Sequence, residues 1–302
     1  MALSNPSNSL AAGFIAAALV LLQPQPAAAQ RLSDAEFSQA MTDLGAPDAE
    51  VRVAAVDLLG RGGRRRRAEL VPHLRRLLRT DPDWRVRASA GRAVGRLSLR
   101  QAVPELVTAL GDAQLDVRVV AAAALWRLPD ESAVVPLIAL LSDADPRARQ
   151  WAALALGVAR DVRAVTPLAR LLADSDASVR MDAIRSLGRM PDIGALEPLR
   201  AFAADSDKAE DERLEAINSI ALLAGPAKVN ALVTLLSDSD SDIRERVVRS
   251  LGQVGDALVI PALRRARGAE RVRSVRAAID AALREINQRT RERAQRGGAV
   301  AP

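Results

Sequence analysis

A valine–arginine pair recurs along this chain at nearly constant spacing. Aligning on it places anchors at Val51, Val86, Val117, Ala148, Val179, Glu212, Ile243 and Val275, separated by 31 to 35 residues. An arginine follows every anchor: Arg52, Arg87, Arg118, Arg149, Arg180, Arg213, Arg244 and Arg276. Eight arginines in eight copies lie far outside chance, so one structural unit repeats from about residue 45 to residue 287. A unit of that length cannot bury its own apolar faces and needs a copy on each side. The fold must therefore be a stack.

Within a unit, apolar and small residues fall at the anchor, +4 and +8, as in Val86/Ala90/Val94 and Val179/Ala183/Leu187. That is one face of a helix at 3.6-residue periodicity. Glycine is common at +9 (Gly60, Gly95, Gly157, Gly188, Gly252), where it can end the helix or permit close packing. A second helix is expected to open at Pro72, Pro104, Pro136, Pro167, Pro198 or Pro261, since proline in a first turn forfeits no hydrogen bond. Leucine pairs close that helix, for example Leu140-Leu141 and Leu171-Leu172. An aspartate turn follows at Asp81, Asp112, Asp143, Asp174, Asp205 and Asp238. A second aspartate (Asp83, Asp145, Asp176, Asp240) is placed to cap the next V-R helix.

The resulting pattern, L-L-x-D-x-D-x-x-V-R-x-x-A-x-x-x-L-G, resembles HEAT repeats of the short variety also seen in phycobilisome lyases. The resemblance covers nearly all of the chain beyond its first thirty residues. It implies an all-α fold, an α-solenoid in which stacked two-helix repeats form a right-handed superhelix. The V-R helices would line the concave side and the proline-started helices the outer side. It also implies an Asp–Arg ladder along the stack, which gives the eight arginines a structural role.

Three repeats depart from the pattern. The first carries Arg61-Gly62-Gly63-Arg64-Arg65-Arg66-Arg67 between its helices. The sixth has Glu212 at the anchor, Ala231 where the helix-starting proline is expected, and an acidic insertion around Asp207 to Asp211. The eighth has only its V-R helix. At the start, the apolar run Leu10–Leu22 is followed by Gln-Pro-Gln-Pro and a small-residue A-x-A site, which reads as a signal peptide cleaved after Ala29. A periplasmic or secreted protein follows, or a membrane-anchored one if the segment is retained. The expected organisation is a signal peptide over 1–29, a capping helix over 30–45 with Ser33 and Glu36 as a capping box, repeats over 46–288 and a disordered basic tail over 289–302.

Candidate chemistry is sparse. Without cysteine there is no disulfide, thiol nucleophile or thiolate metal site. The single histidine, His73, has no histidine partner, so no metal site is expected and the paired His-Glu motifs of HEAT-repeat deoxyhypusine hydroxylases are absent. Nothing places a serine beside His73 for triad catalysis. The aspartates are accounted for as caps and ladder, so no catalytic residue and no cofactor are assigned.

What remains is a surface. Positions +2, +3, +6 and +10 of each V-R helix should face the groove, and there Arg92, Arg96, Arg127, Arg185, Arg189 and Arg249 form a basic stripe with Trp151 beside it. Tryptophan and arginine are common interface anchors. The expected function is a non-catalytic scaffold in the cell envelope that binds an acidic protein partner along this face. The alternatives are a bilin-lyase-like enzyme on the same scaffold, or nucleic-acid binding if the leader is not a signal peptide.

Overall fold

The computed structural model describes residues 32–298, and every regular element among them is helical. The expected signal peptide lies outside the described residues. A leading helix α1 (Asp34–Asp43) is followed by the V-R helices α2 (Ala49–Gly62), α4 (Trp84–Leu97), α6 (Leu115–Arg127), α8 (Pro146–Ala159), α10 (Ala177–Gly188), α12 (Glu210–Leu222), α14 (Ser241–Val254) and α16 (Arg273–Gly298). Between them stand α3 (Arg67–Thr80), α5 (Val103–Ala109), α7 (Val134–Leu140), α9 (Val165–Arg170), α11 (Leu196–Ala204), α13 (Ala227–Thr234) and α15 (Ile260–Ala269). This is an all-α solenoid of stacked two-helix repeats. The chain divides into two compact units, residues up to 124 and residues from 125 onward.

Most of the V-R helices start where the sequence supplies a cap. Ser33 and Glu36 form the reciprocal capping box on α1. Asp48, Asp83, Asp145, Asp176 and Asp240 cap α2, α4, α8, α10 and α14 through side chains that accept from amides two or three residues on. Inside unit 2, Asp130, Asp161, Asp192 and Asp256 cap short 3-10 turns that lead into α7, α9, α11 and α15. Five of the six expected prolines sit in the first turn, but Pro72 lies inside α3, which starts at Arg67 because the Gly63–Arg66 turn feeds it early. In the sixth repeat the proline has moved rather than vanished: Pro226 caps α13, after Gly225 takes a positive φ of 82°.

The apolar face packs as its periodicity requires. Val86, Ala90, Val94, Val179, Ala183 and Leu187 are fully buried. Burying each valine or leucine contributes roughly 1.5–3 kcal/mol. Val51, which has no complete repeat before it, is the exception and is exposed.

Four of the +9 glycines serve close packing, and of these only Gly188 also ends its helix. A Cβ on Gly60 would lie 3.0 Å from Ala93 Cβ, one on Gly157 would lie 2.8 Å from Ser186 Cβ, one on Gly188 2.7 Å from Ser219 Cβ, and one on Gly252 3.1 Å from Ala282 Cβ. Each time the glycine of one V-R helix meets the small +7 residue of the next. The left-handed C-caps fall instead on Ser98 and Arg160, both at φ 55°.

The ladder joins the repeats. In unit 1, Arg52 donates from Nε and Nη2 to both oxygens of Asp81 and from Nη1 to the carbonyls of Ala46 and Pro47. Arg87 repeats this with Asp112, and in unit 2 Arg149 does so with Asp174, at 2.7 Å for both bonds. Each aspartate also accepts from the amide two residues on, which closes its turn. Arg213 pairs with Asp238 and Arg244 with Glu270. Charge-assisted, largely buried and, for all but Arg213, bidentate, these bonds fix how one repeat sits on the next.

The sixth repeat breaks the pattern instructively. The insertion draws Asp205 out of reach, where it pairs with Lys208 at 3.7 Å. Arg180 takes Glu212 instead, at 2.8 Å. The irregular anchor and the irregular turn thus compensate each other. Arg276, in the eighth repeat, is exposed.

Acid should loosen this ladder. Hydrogen bonding from Arg244, helped by the amides of Val272 and Arg271 and opposed by burial, holds Glu270 at about 2 against an ordinary 4.5. A carboxylate depressed on folding stabilises above its unfolded pKa and loses that contribution as pH falls through the folded one. Stability is therefore expected to fall between about pH 4.5 and pH 2. Urea midpoints across that range should show Glu270→Gln losing on the order of 1–3 kcal/mol of this pH dependence.

The tail differs from expectation. Residues 289–298 continue α16 instead of being disordered, because Arg, Glu and Gln are good helix formers. Gln288 bonds Glu292, and Arg289 donates to the carbonyls of Gly252 and Gly255. Residues 299–302 lie outside the described residues.

Candidate functional site

Positions +2, +3, +6 and +10 of the V-R helices are not uniformly open, since Ala88, Ser89, Ala123 and Asp182 are buried, and the structure sorts the expected stripe into committed and uncommitted side chains. In unit 1, Arg92 is half-buried and makes no ion pair among the described residues, while Arg96 is half-buried and engaged. Beside them Ser89 Oγ donates to Asp57 Oδ1.

In unit 2, Arg185 does not stand free as expected. Its Nε donates to Glu215 Oε1 at 2.9 Å, and its Nη1 lies 3.5 Å from Asp182. It belongs to a second polar chain across the V-R helices. Gln150 donates to Asp182, Arg185 links Asp182 to Glu215, Asn218 donates to Glu215, and Arg246 donates to Asn218. Burial pushes the Asp182 carboxyl up, against the Gln150 and Arg185 contacts that lower it. The rule behind this chain is that +6 of one helix reaches +3 of the next, as Asp57 reaches Ser89, Arg185 reaches Glu215 and Asn218 reaches Arg246.

Arg249 pairs with Glu245 one turn away and stays 65% exposed. Arg189 caps α10, is exposed, and makes no ion pair among the described residues.

The aromatic feature is better defined than the stripe. Trp126, at the position other repeats give to glycine, meets Trp151 edge-on, with ring centroids 6.2 Å apart at 70°. Both rings are half-buried, and Leu154 and Val158, at +6 and +10 of α8, are also only half-buried. The exposed guanidinium of Arg127 lies 5.9 Å from the Trp126 ring. In a chain with 2% aromatic residues, two tryptophans left partly open on one face are conspicuous.

For catalysis the face offers little. The Asp182 carboxylate is held by Gln150 and Arg185. Among the described residues no group of three or more His, Cys, Asp or Glu is placed to hold a metal ion. None of the described helices is long and apolar enough to cross a membrane.

The family model for HEAT repeats matches residues 36–126, 103–188, 134–211 and 197–284. Among solved structures, an engineered protein is 22% identical over 82% of this chain and 77% of its own, with a TM-score of 0.53. The CpcE–CpcF complex of phycocyanin lyase from a Nostoc species is 19% identical over 87% and 98%, with a TM-score of 0.49. Human deoxyhypusine hydroxylase is 20% identical over 74% and 87%, with a TM-score of 0.37. No curated protein matches the sequence.

Proposed function

This chain belongs to the HEAT-repeat family, and from that premise we propose that it is a non-catalytic scaffold of the cell envelope that docks a protein partner on the exposed face of its V-R helices. HEAT repeats are helical scaffolds suited to protein interaction. The observation that carries the reading is the half-open Trp126–Trp151 pair with Arg127 against it, in unit 2. Five of the other repeats have glycine at the Trp126 position and none has an aromatic residue, so the stack has no general need for an indole there. Large amphipathic rings beside an arginine are the side chains that dominate binding energy at interfaces.

The partner's chemistry follows from the surroundings. Leu154 and Val158 extend the apolar patch, Arg127 lies against the Trp126 ring, and Arg189 is a further exposed cation assigned to the face in unit 2. An apolar segment flanked by carboxylates fits them. Envelope location rests on the apolar run, the proline break and the A-x-A site of the first thirty residues.

Affinity capture from the envelope fraction with the full chain tests the reading. Trp151→Ala should weaken capture at least about 30-fold, the signature of an interface hot spot. Its cost to stability should stay near 1–2 kcal/mol, since only one edge-on aromatic contact and half of its burial are lost. Retention of the partner by Trp126→Ala/Trp151→Ala, or a strictly cytosolic native protein, would overturn the proposal.

A further inference from the structure

Unit 1 carries a concentration of charge that the ladder does not use. Residues 61–80 contain eight arginines and one acidic residue, Glu69. Two of the arginines are structural. Arg66 lies 3.8 Å from the Phe37 ring centroid and pairs with Glu69 at 2.7 Å, which pins the 3-10 turn against α1. Arg75 donates to Glu105 at 2.9 Å, which ties α3 to α5. The other six, Arg61, Arg64, Arg65, Arg67, Arg76 and Arg79, are exposed and make no ion pair among the described residues. Arg61 donates only to the carbonyl of Asp57.

We propose that this face, formed by α3 and the turn before it, is a docking surface for the phosphate headgroups of an anionic membrane. Several like charges on a rigid support repel one another, and an extended anionic surface relieves that repulsion. Guanidinium forks match phosphate oxygens bidentately. The exposed side of α3 presents Ala68, Pro72 and Thr80 between the arginines, and the one aromatic ring on that helix, the His73 imidazole, is half-buried, which disfavours the run of stacked bases that single-stranded nucleic acid needs.

Chain length points to the bilayer as the occupant. Eleven residues separate Leu22, the end of the apolar run, from Asp34, the start of α1. Fully extended they span at most about 40 Å. In the membrane-anchored form, which keeps the run, the bilayer that holds it is within reach of the first repeat. The clusters of four to eight basic residues that bind anionic lipid act at such short range.

The test uses the full-length protein with vesicles of phosphatidylcholine alone and of phosphatidylcholine with about one-third phosphatidylglycerol, the bound fraction being read by sedimentation. The first thirty residues carry no charged side chain, so the apolar run contributes alike to both. Binding to the anionic vesicles should be more than about a hundredfold tighter at 0.1 M salt and lose that preference near 0.5 M, where charges are screened. Each arginine near a charged bilayer contributes roughly fivefold, so R64A/R65A/R67A should weaken anionic binding on the order of a hundredfold and R76A/R79A about 25-fold. The matched variant R264A/R265A, on exposed positions of α15, should change it less than about threefold. Circular dichroism would confirm equal helix content in all variants. The proposal fails if the anionic preference is missing, if R264A/R265A weakens binding as much as R76A/R79A, or if a DNA oligonucleotide outcompetes the vesicles at equal phosphate.

Discussion

Glu212→Ala is expected to destabilise unit 2 by about 3 kcal/mol, whereas Asp205→Ala should cost less than about 1 kcal/mol. Position in the repeat suggests the reverse, since Asp205 stands where five other turns have an aspartate. The geometry decides. The Glu212 side chain is 3% exposed and holds Arg180 through Nε and Nη2. Removing it leaves a guanidinium that is only 21% exposed without a counter-ion. Breaking a buried pair from one side typically costs 3–5 kcal/mol. The lower end applies here because Arg180 keeps the carbonyls of Asp174 and Ser175. Asp205 has only the distant Lys208 and the Asp207 amide to lose, and its carboxylate is largely solvated. Urea unfolding of the two variants, read by circular dichroism, compares them directly. The loss should appear within unit 2, since stability in a repeat stack is a sum of local terms.

Gly157→Ala should destabilise by about 1–3 kcal/mol, although the same change in an open helix interior would stabilise by about 1 kcal/mol. The sign is the test. Gly157 lies inside α8, where alanine has the better helix propensity. Its new Cβ would fall 2.8 Å from Ser186 Cβ and 3.0 Å from Ser186 Cα, and backbone cannot swing aside as a flexible side chain can. The neighbouring helix would have to move, stretching the Ser186 hydroxyl bond to the Ala153 carbonyl. A midpoint shift to lower urea for Gly157→Ala would support close helix approach as the reason for glycine at +9. A shift to higher urea would remove it.

These two results bear on why some of the molecule is legible in the sequence and some is not. The V-R anchors, the aspartate caps and most of the ladder repeat the same residue types at the same offsets, so their periodicity announces them. The Arg180–Glu212 pair was hidden because the replacement carboxylate sits at the anchor, where it looks like a lost apolar residue. The +6 to +3 chain was hidden for another reason. Asp57–Ser89, Arg185–Glu215 and Asn218–Arg246 use three different chemistries at one geometric relation, so no residue type recurs. Complementarity between +6 of one repeat and +3 of the next was the available signal. Arg185 accordingly looked free and is not. Trp126 and Trp151 were visible as individual residues, but their edge-on contact depends on how α6 and α8 meet, which sequence offsets do not convey.

The central claim is that Arg52, Arg87, Arg149, Arg180, Arg213 and Arg244 are each bound to a carboxylate of the following repeat, leaving function to what the ladder does not hold. A double-mutant cycle on Arg149 and Asp174 tests it most directly, using Arg149→Met, Asp174→Ala and the double variant in urea unfolding. The two side chains bond twice at 2.7 Å, and burial, which works to raise the Asp174 carboxyl, is outweighed by Arg149 and the Asp176 amide, which hold it low. The account predicts a coupling of about 2–3 kcal/mol, at the upper end for residues in direct contact. A coupling within about 0.5 kcal/mol of zero would mean that the arginines merely decorate the stack, and would contradict it.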